Sequence, residues 1–175
     1  MTNKPKVAVS RCLGFAVCRW NGAVIENRMV EHLGKLVDFI LVCPECEIGL
    51  GVPRQPIRMV QESTGLTLVQ PMTGVDLTAR MTSFSHNFLN SIDQVDGFLL
   101  KRKSPSCGLA NVPIYAGLDD EEPLDKGPGF FARVVLERFP DTPVVDEDGL
   151  DDCKRFKEWL TAVFNRARFR RAQYE

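Results

Sequence analysis

Three cysteines stand where short apolar runs end. Lys6-Val-Ala-Val-Ser10 leads into Cys12, Phe39-Ile-Leu-Val42 into Cys43, and Val95-Asp-Gly-Phe-Leu-Leu100 into Lys101-Arg-Lys-Ser-Pro-Ser-Cys107-Gly108. Each run reads as a buried strand. The stretch around Cys107 can continue neither strand nor helix, because Pro105 lacks an amide donor and Gly108 permits positive φ. A thiol set beside Lys101, Arg102 and Lys103 is expected to favour thiolate, the form that attacks electrophiles and binds metals. Three strands ending in cysteine predict one shared centre.

Three chemistries compete for that centre. Zinc favours Cys and His ligands in short-spaced pairs. His32 and His86 fall in predicted helices away from the cysteine turns, so a zinc site would rest on Cys43, Cys46 and two further thiols. Cys43-Pro-Glu-Cys46 is also formally a Cys-x-x-Cys redox motif after a strand. Gly49, Gly51 and Pro53 argue against the helix that follows at once and activates the thiol in such folds. The third chemistry is an iron–sulfur cluster held by thiolates. Cys12, Cys43 and Cys107 would supply three ligands and leave one iron open, as catalytic metal sites keep an open position. On residue chemistry alone all three stay open.

The elements that must position these residues alternate in type. Arg28 to Asp38 carries Met29, Leu33 and Leu36 at helical spacing and leads into the second strand, a parallel crossover. Residues 58–61 and 66–70 predict a small hairpin outside the main sheet. A helix opens near Asp76, with Leu77, Met81, Phe84, Phe88 and Ile92 on its core face. Residues 108–128 read as a Gly/Pro/Asp-rich loop, and 129–139 as a helix burying Phe130, Val134 and either Val135 or Leu136. Residues 142–145 form a fourth strand. A last helix runs from Leu150, with Phe156, Leu160, Val163 and Ala167 on one face. The expected fold is α/β: one doubly wound domain with about four parallel strands, helices on both faces, a small hairpin and a C-terminal helix. Residues 1–148 would carry the chemistry and 149–175 a helical extension packed on it. Ligands of such sheets bind at the carboxyl ends of the strands, where the cysteines lie.

A chain of 175 residues can bury roughly 70% of its unfolded surface without disulfide staples. Its formal net charge of −1 argues against a surface built to coat nucleic acid. No apolar run has the length of a membrane span, and the N-terminus runs directly into a strand without a secretory leader. The expectation is a cytoplasmic protein whose six cysteines stay reduced.

Several motifs occur together and in order: Ser10-Arg-Cys-Leu-Gly14 with Cys18-Arg-Trp-Asn-Gly22, Cys43-Pro-Glu45 with Gly49-Leu50 and Val52-Pro-Arg54, Gly74-Val-Asp-Leu-Thr78, and Lys101 to Gly108. Over residues 6–145 the chain resembles the 2-thiouracil desulfidase family. That resemblance implies a [4Fe-4S] cluster held by Cys12, Cys43 and Cys107 with one iron not bound by protein. It implies removal of sulfur from a thiolated pyrimidine, thiouracil or thiouridine, without net redox change, and some relatives act on RNA carrying thiouridine. Glu45 becomes the acid/base and Ser104 or Ser106 a substrate contact. Cys46 is a further thiol beside the second ligand, and a fused domain found in some relatives is absent. Lys101 would offset the cluster's charge, with Arg54 and Arg19 as lesser candidates. Trp20 is a loop anchor or stacks on the pyrimidine, and Arg166 to Arg171 form a solvated end or track an RNA backbone. The competing readings are a non-catalytic iron–sulfur or zinc protein handling sulfide, and a thiol oxidoreductase using Cys43 and Cys46.

Overall fold

A computed structural model describes residues 4–172. Its strands are β1 (Lys6–Ser10), β2 (Asp38–Val42), β3 (Arg58–Glu62), β4 (Gly65–Gln70), β5 (Val75–Asp76), β6 (Gly97–Leu100), β7 (Val112–Tyr115), β8 (Asp125–Gly127) and β9 (Val144–Asp146). The helices are α1 (Arg28–Leu33), α2 (Pro44–Glu47), α3 (Thr78–Ser91), α4 (Phe130–Arg138), α5 (Glu147–Asp151) and α6 (Cys153–Ala172).

The main sheet is parallel throughout, in the order β2-β1-β6-β9. Strand alternation sends Val7, Val9, Leu99 and Val145 to one face, where Val30 and Leu33 of α1 and Trp159 and Val163 of α6 cover them. Ala8, Phe98 and Leu100 point the other way, onto Leu89 of α3 and Phe131, Ala132 and Val135 of α4. Burial on both faces is why these strands read as continuous apolar runs. The expected α/β architecture, with four parallel strands and helices on both faces, is the one found.

The expected hairpin of β3 and β4 belongs to a second sheet, ordered β5-β4-β3-β7-β8. It encloses a further core of Met59, Leu68, Leu77, Met81, Val112 and Ile114. Residues 108–128 are therefore not one loop. Val112 and Ile114 alternate inward on β7, whose parallel partner β3 lies some fifty residues earlier. Such pairing leaves no local signature.

Helix α1 stops at Leu33 rather than Asp38, and Leu36 is exposed. In α4 the buried residues are Phe131, Ala132, Val134 and Val135, while Leu136 is exposed and Phe130 only half-buried. The C-terminal segment holds two helices, because two aspartates cap in succession. Asp146 accepts from the Gly149 amide at 3.1 Å and opens α5, and Asp152 accepts from Lys154 and Arg155 at 2.9 and 3.1 Å and opens α6. Helix α6 is fixed at its far end. Arg170 clamps the fully buried Asp96 through Nε and Nη2, at 3.0 and 2.8 Å, and reaches Gln94 at 2.8 Å. Asp96 also accepts the Lys6 amide at 2.8 Å. Arg170 thus works inside the fold rather than on a frayed end.

Candidate functional site

The strand order places the exits of β2, β1 and β6 side by side, and with them Cys43, Cys12 and Cys107. Two bonds tie the exits together: the Arg11 amide to Val42 O at 2.8 Å and the Lys101 amide to Ser10 Oγ at 2.9 Å. All three thiols are free, buried, and line one cavity of about 720 Å³. The second sheet closes its far wall with Arg58, Met59 and Tyr115, and the Arg58 guanidinium lies 3.8 Å over the Tyr115 ring. Seven cations line the cavity against a single carboxylate, Glu45.

Cys18 is a fourth thiol lining this space. Cys46 is not part of the lining; its Sγ lies 3.7 Å from Cys18 O and takes a contact from Arg54 Nη1 at 3.8 Å. The geometry therefore presents Cys43, rather than Cys46, to the cavity. A hydrogen bond with Cys12, then burial, pushes the Cys18 thiol up to about 12. The Cys43 thiol is pushed up by its hydrogen bond with Cys18 and by burial, and burial raises Cys46 to about 11. Burial also raises Cys107, against an opposing hydrogen bond with Ser10.

This corrects the expectation that neighbouring cations favour a Cys107 thiolate. Lys101 Nζ is held by the Glu147 carboxylate and by Arg102 O, and Arg102 pairs with Asp148 at 2.7 Å. The Cys43 and Cys107 thiols are raised, so a bound metal must displace their protons.

A short helix does follow Cys43, contrary to the expectation from Gly49, Gly51 and Pro53. Pro44 takes the first helical position, where its missing amide costs nothing, and Gly49 at φ +83° ends the turn. Glu45 rides on it. Glu45 Oε2 accepts from Arg54 Nε at 3.0 Å and Nη2 at 2.5 Å. Its Oε1 accepts from Ser106 Oγ at 3.0 Å and Ser104 Oγ at 3.3 Å. The structure thus brings Glu45, Ser104 and Ser106 into one network, three residues that the sequence could only suggest separately.

The Cys107 turn is held by the start of α4. Amides of Gly129, Phe130 and Ala132 bond the carbonyls of Gly108, Pro105 and Ser106 at 2.8, 2.9 and 3.0 Å. Ser104 Oγ caps the turn from inside, accepting the Ser106 and Cys107 amides at 3.2 and 3.1 Å. This approach needs glycine: a Cβ on Gly129 would meet Ser106 O at 2.6 Å and Pro105 O at 2.7 Å. Gly129→Ala should therefore cost about 1–3 kcal/mol in urea unfolding. Gly51→Ala, where a Cβ meets nothing within 4 Å, should stay within about 0.5 kcal/mol. Equal effects would mean that the turn is not held by this contact.

Other sequence candidates disperse. His32 bonds Arg28 O within α1, and Cys153 is exposed on α6. Trp20, 48% exposed, lines the cavity with Arg19. Sequence reading missed Ser10, the last residue of β1, and Glu147, the first residue of α5 just past β9; their place at this edge of the sheet is the signal that could have found them.

Among the described residues, no three His, Cys, Asp or Glu side chains converge on a single metal ion. A cubane cluster spreads its ligands over separate irons, so three thiols around a shared space fit a cluster better than zinc. A family model described as 2-thiouracil desulfurase matches residues 7–147. The uncharacterized protein YbbK of Bacillus subtilis (strain 168) is 30% identical over 112 residues, 58% of this chain and 72% of that protein. The solved structure of a [4Fe-4S]-dependent thiouracil desulfidase, TudS, superposes with a TM-score of 0.62 at 29% identity, covering 85% of this chain and 94% of that one.

Proposed function

Since this chain belongs to the 2-thiouracil desulfurase family, we propose that it is a [4Fe-4S]-dependent enzyme that hydrolyses a thiolated pyrimidine to its oxo form and sulfide. The observation that carries this reading is the set of three free, buried thiols from adjacent strand ends lining one cavity with Glu45. Cys12, Cys43 and Cys107 would hold the cluster, with one iron not bound by protein. That iron would supply a soft Lewis acid suited to thiocarbonyl sulfur.

The remaining work falls to the chain's own groups. Water adds to the ring carbon that bears sulfur as Glu45 takes one of its protons. Glu45 returns that proton to the sulfur, the C–S bond breaks to release hydrosulfide, and the remaining hydroxyl loses its proton to solvent as it becomes the carbonyl, so no electron is gained or lost. Ser104 and Ser106 hold Glu45, and of the two Ser104, which lines the cavity, faces the pyrimidine edge. Lys101, paired with Glu147, sits at the cavity wall, where it would hold its place beside the cluster.

Thiouridine, free or within RNA, is a substrate by the same chemistry where its base reaches the cavity. Of the arginines of α6, Arg170 is committed to Asp96 and does not join an RNA track. Free thiols throughout fit a reducing compartment such as the cytoplasm, and no described helix is long and apolar enough to cross a membrane. A thiol oxidoreductase at Cys43 and Cys46 is disfavoured, because both thiols are raised and poorly nucleophilic at neutral pH.

Under nitrogen, reconstituted protein should convert thiouracil to uracil with one sulfide released per uracil, and iron-free protein should not. Iron loading without turnover would instead support a non-catalytic cluster protein.

A further inference from the structure

We propose that Arg54 is a positioning residue that fixes the plane of the Glu45 carboxylate and turns Oε1, rather than Oε2, to the reacting water; the inference rests on the desulfidase reading above. Its side chain is only 6% exposed, and its charge acts first on Glu45, ahead of Cys46 and Cys43. Each of its five N–H donors has a partner. Nε and Nη2 reach Glu45 Oε2, Nη2 also reaches Cys18 O at 3.0 Å, and Nη1 reaches Gly51 O at 3.1 Å and Cys46 Sγ at 3.8 Å. The carboxylate holds the guanidinium above its usual value although burial opposes the charge.

The two carboxylate oxygens are therefore unlike. Oε2 faces donors that have no lone pair and do not give up their protons. A proton placed there would point at two N–H groups. Oε1 faces the Ser104 and Ser106 hydroxyls; Ser104 Oγ already accepts two amides, but the Ser106 hydroxyl can rotate and accept instead of donate. The fork occupies Oε2, which leaves Oε1, bonded to Ser106 next to Cys107, as the oxygen open to a water. Fixing the carboxylate plane by a two-pronged grip is what arginine does and lysine does not.

Removing the fork should free the carboxylate to rotate while leaving the cavity and thiols in place. The test compares wild type, Arg54→Lys and Arg54→Ala, each assayed for iron, thiouracil turnover and, in iron-free protein, the infrared carboxylate stretch assigned by subtracting Glu45→Gln. Arg54→Lys is expected to keep its iron and a KM within about threefold, while kcat falls by about thirtyfold or more. The Glu45 stretch should shift, and guanidinium ion, but not methylammonium, should restore at least part of the Arg54→Ala rate. An unshifted stretch, or wild-type kcat in iron-loaded Arg54→Lys, would overturn the role. Loss of iron in both variants with no rescue would make Arg54 a structural strut. Should wild type itself produce no uracil, the desulfidase reading falls and takes this inference with it.

Discussion

Glu45→Gln should fold, load the same iron as wild type and still bind thiouracil, yet turn over roughly a hundredfold or more slowly, a barrier increase of about 2.7 kcal/mol. Glutamine preserves the shape of the site. Its carbonyl can accept from Arg54 where Oε2 does, and its amide can donate to Ser106, whose hydroxyl turns round to accept. What it cannot do is take a proton at neutral pH. The substitution also leaves a buried guanidinium without its anion, so some loss of stability is expected alongside. If Glu45 only secured its turn, Gln would keep most activity and Ala would lower stability and iron content together. Near-normal turnover in fully loaded Glu45→Gln would remove it from the mechanism.

Cys12→Ala, Cys43→Ala and Cys107→Ala should each abolish cluster loading, measured as iron and sulfide per chain after anaerobic reconstitution. Each deletes one of three thiols that only together surround the cavity. Cys153→Ala removes an exposed thiol of α6 and should leave loading unchanged. Cys18→Ala should also retain iron, since Cys18 leaves no strand end and its thiol is hydrogen-bonded to Cys12. Cys46 gives the sharper contrast. It sits one turn from Cys43 but outside the cavity lining, so Cys46→Ala should keep its iron. Iron lost from Cys46→Ala and kept in Cys43→Ala would reverse the assignment. Because the empty thiols of Cys43 and Cys107 are raised, loading must release protons and should weaken as pH falls.

Much of this centre was legible because it is built from local signals. A buried parallel strand is an apolar run, and a cysteine just beyond one lies on the ligand-binding edge. What hid from the sequence was pairing at a distance. The cations around Cys107 promised a thiolate, but Glu147 and Asp148, some 45 residues on, claim Lys101 and Arg102. Arg170 read as part of a solvated end because its partner, Asp96, lies 74 residues earlier. β5 and β8 span only two and three residues, too few for alternation to show, and so the second sheet looked like a hairpin and a loop. Helix α2 was missed for the opposite reason: its four residues sit amid glycines and prolines that suit its two ends.

The most direct test of the central claim is turnover of reconstituted protein with thiouracil in water enriched in heavy oxygen, under nitrogen and with no electron donor. The account predicts uracil carrying the heavy oxygen and one sulfide per uracil. Uracil without the label, or formed only when a reductant is added, would contradict it.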